Sequence, residues 1–131
     1  LNTDFQPVNT IKTGDQCHIW MRVQFREFVE EIVPGILVRN AKGVDLFGWD
    51  TSWAGIEGPV GGKDGKVDIV MTIDIRLASG DYFLTCALAD TASVKHDVRY
   101  DLLQFRVMGE SSAYTTSIVD LGLEYQAWPS S

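Results

Sequence analysis

The chain has 131 residues, enough to bury roughly 65 to 70% of its unfolded surface in one core, so no second domain is expected. Eleven basic against 18 acidic residues leave a formal charge of −7, which repels phosphate backbones and argues against nucleic acid as a partner. The longest apolar runs, such as residues 69–71, are too short to cross a bilayer; no leader is expected, and Leu1 reads as a boundary cut within a larger protein.

Residues 5–9 suit a short strand at a sheet edge, because Pro7 removes a ladder donor, and Thr13-Gly14-Asp15 then turns the chain. Over 16–27 the alternation is at its clearest. Cys17, Ile19, Met21, Val23 and Phe25 share one face, and Gln16, His18, Trp20, Arg22, Gln24 and Arg26 share the other; the odd-numbered face is predicted core. Residues 28–32 (FVEEI) suit a helical turn or a loop. Pro34-Gly35 punctuates the chain before a hairpin over 35–51, GILVRNAKGVDLFGWDT. There Ile36, Val38 and Asn40 alternate with Leu37 and Arg39, Lys42-Gly43 supplies the turn, and 44–49 returns antiparallel.

Residues 52–66 hold five glycines, Pro59 and Trp53, a long irregular connection of the kind that is often functional. Over 67–77 alternation resumes, with Val67, Ile69, Met71, Ile73, Ile75 and Leu77 inward and Asp68, Thr72, Asp74 and Arg76 outward. Ser79-Gly80-Asp81 predicts a hairpin turn into 82–90, where Tyr82, Leu84, Cys86 and Leu88 share a face. A polar loop over 91–97 leads to a strand over 100–108 with Leu103, Phe105 and Val107 inward, and a last strand is predicted over 117–128. About eight strands with no sustained helical period predict an all-β fold, an antiparallel β-sandwich of immunoglobulin-like or jelly-roll-like character.

Cys17 and Cys86 invite an inter-sheet disulfide. However, Trp20 follows Cys17 by three residues and has the opposite parity, whereas the core Trp of immunoglobulin domains follows the first Cys by about a dozen. Two reduced, buried thiols fit better and suit a cytoplasmic setting.

Read in order, the 35–51 hairpin, LASGDYFLTCALAD over 77–90, YDLLQFRVMG over 100–109 and the terminal SIVDLGLEYQAW resemble one family. It is the C-terminal domain of the ATPase subunit of O-antigen polysaccharide ABC exporters, the Wzt-type domain. The resemblance covers nearly the whole chain. One departure is Trp49-Asp50, where the family often has Asn before the Thr. The resemblance implies a non-catalytic, cytoplasmic carbohydrate-binding module at the inner face of the bacterial inner membrane. Such a module recognises the finished polysaccharide, often at its modified non-reducing end, and passes it to the transporter's membrane subunit. It further implies a homodimer that exchanges the 117–128 strand. ATP and Mg would belong to an upstream nucleotide-binding domain, and no cofactor is implied here; this chain has no G-x-x-x-x-G-K-[ST] loop.

Sugars offer apolar C–H faces and rings of hydroxyls, which call for flat aromatic platforms beside planar polar groups. His18, Trp20, Arg22 and Gln24 provide that mixture at about 7 Å intervals along one strand face. If Thr72, Asp74 and Arg76 lie in the same sheet, the two rows form one glycan-binding floor, with Trp49 as a further contact from the hairpin. The competing reading is a solvated face with charges paired across strands. Trp53 reads as a platform or as edge packing, and Trp128 as a subunit or edge contact. Tyr82 and Tyr100 read as structural, with Tyr100-Asp101 as a lesser pocket lining. Catalysis finds little support. His18 and His96 lack metal-ligand spacing, Asp64 lacks a ring of carboxylates, and no G-x-S-x-G elbow is present. The acidic pairs available to a glycosidase are no more than any acidic β-domain supplies.

Overall fold

The structure is a computed structural model and describes residues 1, 6–25, 28, 31–58, 65–90, 95–109 and 124–129. Seven strands appear among these residues: β1 (Thr10–Lys12), β2 (Gln16–Gln24), β3 (Ile32–Asn40), β4 (Asp45–Asp50), β5 (Lys66–Asp74), β6 (Gly80–Asp90) and β7 (Lys95–Met108). They form a five-stranded sheet in the order β1-β7-β6-β3-β4 and a two-stranded sheet of β2 and β5. The two pack face to face as an all-β sandwich, with one departure from antiparallel pairing, since β1 runs parallel to β7.

The predicted parities hold in the core. Cys17 from β2, Ile36 and Val38 from β3, Tyr82, Leu84 and Cys86 from β6, and Val107 from β7 are buried together, with Ile19, Met21, Met71 and Ile73 packed against them. β2 and β5 pair antiparallel without a slip, Cys17 opposite Ile73 and Met21 opposite Ile69, so one face of both strands meets the core and the other meets solvent. Both cysteines are buried and free, and burial pushes both thiols above their ordinary pKa.

Several expectations are corrected. The first strand lies at Thr10–Lys12, beyond Pro7. Pro34 does not break the chain: β3 begins at Ile32 and carries Pro34, fully buried, within it. Proline is tolerated there because β4 stops at Asp50, opposite Gly35, which leaves β3 paired only to β6 at that level. The segment over 79–81 does not close a hairpin, because β5 belongs to the small sheet and β6 to the large one, so the chain crosses between sheets. β7 starts at Lys95, inside the predicted loop. Residues 124–129 form no strand and are exposed, while 110–123, which hold most of the predicted last strand, lie outside the described residues.

The β3/β4 hairpin turns where predicted. Gly43 takes a φ of 78°, in the left-handed region that favours glycine, and the Asn40 side chain accepts the backbone N–H of Lys42 and of Val44 at 3.0 and 2.9 Å. Tyr82 is structural as expected, its hydroxyl donating to the Ala78 carbonyl at 2.7 Å. On the β1/β7 side the core opens into an apolar cleft of about 360 Å³, bordered by Ile11, Ile19, Trp20, Leu84 and Leu103. Leu103 pairs with buried Leu84 on the core face, yet remains 55% exposed.

Candidate functional site

The outer face of β2 and β5 gathers most of the residues singled out in the sequence. His18 stands opposite Thr72, Arg22 opposite Asp68 and Gln16 opposite Asp74, with Trp20 and Gln24 on the same row and Arg76 just beyond the end of β5. These groups are largely bonded to one another. The His18 ring nitrogen Nδ1 lies 2.8 Å from Thr72 Oγ1, and Gln16 Nε2 donates to Asp74 at 3.2 Å. Arg22 Nε donates to Asp68 at 2.8 Å, and Arg76 approaches Asp74 at 4.0 Å. The Arg22 hydrogen bond, with help from the Trp20 indole, holds the Asp68 carboxyl below its ordinary pKa. Trp20 is 47% exposed. The result is a flat ladder of cross-strand pairs.

The other candidate lies on the outer face of the five-stranded sheet. Gly35 stands between Asp50 and Ala87, and Leu37 between Gly48 and Thr85, so the outward row across β4, β3 and β6 carries mostly small side chains. A depression of about 440 Å³ results, floored by Gly35, Gly48, Thr85 and Ala87 and bordered by Trp49, Asp50, Trp53, Val98 and Tyr100. A Cβ on Gly35 would lie 3.2 Å from both the Asp50 Cβ and the Trp49 carbonyl oxygen, so glycine lets β4 come this close.

Two local devices place aromatic rings beside this floor. Asp50 Oδ1 accepts the Trp53 N–H at 2.7 Å, closing a turn after β4 that leaves Trp53 89% exposed. On the opposite side, β7 bulges. Pairing jumps from Leu84 with Leu103 to Cys86 with Arg99, so 100–102 stand opposite Thr85 alone. Asp101 takes a φ of 46°, and its N–H donates to the buried Thr85 hydroxyl at 3.0 Å. The displaced Tyr100 is 62% exposed, with the Arg39 guanidinium 5.9 Å from its ring centre, and Arg39 in turn bonds Asp45 at 2.8 Å.

Among the described residues no group of three His, Cys, Asp or Glu is placed to hold a metal ion, and no helix is long and apolar enough to cross a membrane.

The model of the Wzt C-terminal domain matches residues 1–121. The chain belongs to that family. Among solved structures, a crystal structure of the C-terminal domain of Wzt superposes with a TM-score of 0.88 at 22% identity, covering 98% of this chain and 79% of that one. At that identity the likeness establishes the shared fold. No curated protein matches.

For this Wzt C-terminal domain, the sequence reading names Trp49, which borders the depression while packing against the core, and offers Trp53 as a platform. It gives Tyr100-Asp101 only as a lesser pocket lining, marks Asp50 only as a departure from the family pattern, and does not single out Thr85. Signals were present. Gly48 inside a predicted strand and Gly35 directly before one mark close backbone approach, and Asp101 is a residue type that tolerates the left-handed region.

Proposed function

We propose that this Wzt C-terminal domain is a non-catalytic carbohydrate-binding module that recognises the O-antigen polysaccharide, at its modified non-reducing end, for export by an ABC transporter. The observation that carries the reading is the depression on the five-stranded sheet. Its floor of small residues admits a ring, and Trp53 and Tyr100 stand exposed on either side as platforms for C–H faces. The ladder of His18, Trp20, Arg22, Gln24, Thr72, Asp74 and Arg76 is a weaker site. A ligand there must displace hydrogen bonds already made on a flat surface, and Trp49 lies on the other sheet. In this reading the domain works in the cytoplasm, at the inner face of the bacterial inner membrane, beside the transporter's membrane subunit. ATP and Mg act in a separate nucleotide-binding domain of the ATPase subunit.

Calorimetric titration with purified O-polysaccharide from the organism that carries the protein tests this. Saturable binding is expected, with no change in polysaccharide chain length after prolonged incubation. Absence of binding removes the function, and shortening of the polysaccharide would make the domain a hydrolase.

A second element of the reading is assembly. The uncovered Leu103 and the open apolar cleft favour a homodimer in which the 117–128 segment of one copy covers the other. A purely structural, dimerising sandwich without glycan affinity is the alternative this cleft favours.

A further inference from the structure

We infer that the depression on the five-stranded sheet accepts an uncharged sugar and rejects one bearing phosphate, sulfate or carboxylate, with Asp50 as the residue that enforces the choice. The inference rests on the glycan-binding reading and narrows its substrate class. Among the described residues that border the depression, Asp50 alone carries a charge. One of its oxygens takes the Trp53 N–H at 2.7 Å, which fixes the carboxylate beside that aromatic platform. The remaining oxygen is an acceptor suited to sugar hydroxyls and repels an anion.

No Lys or Arg is among the lining residues described. The cation beside Tyr100, Arg39, is engaged twice, donating to Asp45 at 2.8 Å and lying against the Tyr100 ring. An anionic substituent entering this site would lose hydration and meet a fixed carboxylate, and among the described lining residues it would find no partner of opposite sign. The chain's formal charge of −7 opposes its approach over longer range. Neutral hydroxyls incur none of these costs, and the apolar lining from Leu37, Ala87, Val98 and the aromatic rings suits unsubstituted C–H faces.

The test is saturation-transfer NMR on the domain with matched probes: methyl glucoside, galactoside and mannoside, each beside its 6-phosphate and its uronate. At least one neutral glycoside is expected to bind about tenfold more tightly than its anionic counterparts, the scale of one unfavourable charge contact. Asp50→Asn keeps the acceptor for the Trp53 N–H and removes the charge, so the preference should shrink toward parity. In the unaltered domain, high salt should narrow the gap as well. Anionic members that bind as well as neutral ones, with both displaced by Trp53→Ala, overturn the selectivity and leave the glycan reading standing. A preference that persists undiminished in Asp50→Asn also overturns it. Failure of every probe, neutral and anionic alike, overturns this inference, while the glycan reading itself stands or falls with the polysaccharide titration.

Discussion

Asp101 and Thr85 form the smallest unit on which the proposed site depends. A non-glycine residue at φ 46° is held by one hydrogen bond to a buried hydroxyl, and that bond keeps Tyr100 outside the regular ladder. Thr85→Val preserves shape and removes the acceptor of the Asp101 N–H; because Asp101 is exposed, urea unfolding should show a loss of about 0.5–1.5 kcal/mol, the net worth of one hydrogen bond. Asp101→Gly relieves the backbone and should leave stability equal or higher. Trp53→Ala is expected to leave the melting temperature unchanged, because the ring is exposed, while weakening polysaccharide binding at least tenfold in calorimetry. Cys17 and Cys86 provide a check on the core. Both thiols are pushed above their ordinary pKa by burial, so the fold favours the protonated form. Their contribution to stability is complete below the ordinary thiol pKa and is lost as pH rises through the elevated folded values. Iodoacetamide should accordingly label neither at neutral pH until the chain unfolds.

At the scale of elements, periodicity was a sound guide wherever one face of a strand meets the core and the other meets water. β2 and β5 meet that condition along their whole length, and every predicted inward residue from Cys17 to Phe25 and from Val67 to Ile75 has the right parity. Pro34 misled because its effect depends on whether a neighbouring strand reaches that level, which the local sequence does not record. Ser79-Gly80-Asp81 misled similarly, since turn chemistry bends the chain but does not choose the sheet that the next strand joins. The depression was harder still to read. Its floor is assembled from Gly35, Gly48, Thr85 and Ala87 on three strands, and no short window contains them together. Gly58 anchors the connection after β4, its N–H bonding Glu31 at 2.8 Å, and a Cβ there would run into the Ile32 carbonyl oxygen. Gly58→Ala should cost about 1–3 kcal/mol by forcing backbone movement at the start of β3, measurable by thermal or urea unfolding.

For the whole molecule, two surfaces divide the proposed work: the outer face of the large sheet for glycan, and the open apolar cleft between the sheets for assembly. Light scattering should report a dimer for the chain of residues 1–131 and a monomer for a truncation ending at residue 116. Persistence of the dimer in that truncation would place the contact elsewhere. The most direct measurement of the central claim is an amide and indole NMR map of the labelled domain, titrated with oligosaccharide released from the host O-polysaccharide. The account predicts shifts at Gly35, Gly48, Asp50, Trp53, Thr85 and Tyr100, with His18 to Gln24 unmoved. Shifts confined to His18, Trp20, Arg22, Thr72 and Asp74 would contradict it and move the site to the opposite sheet.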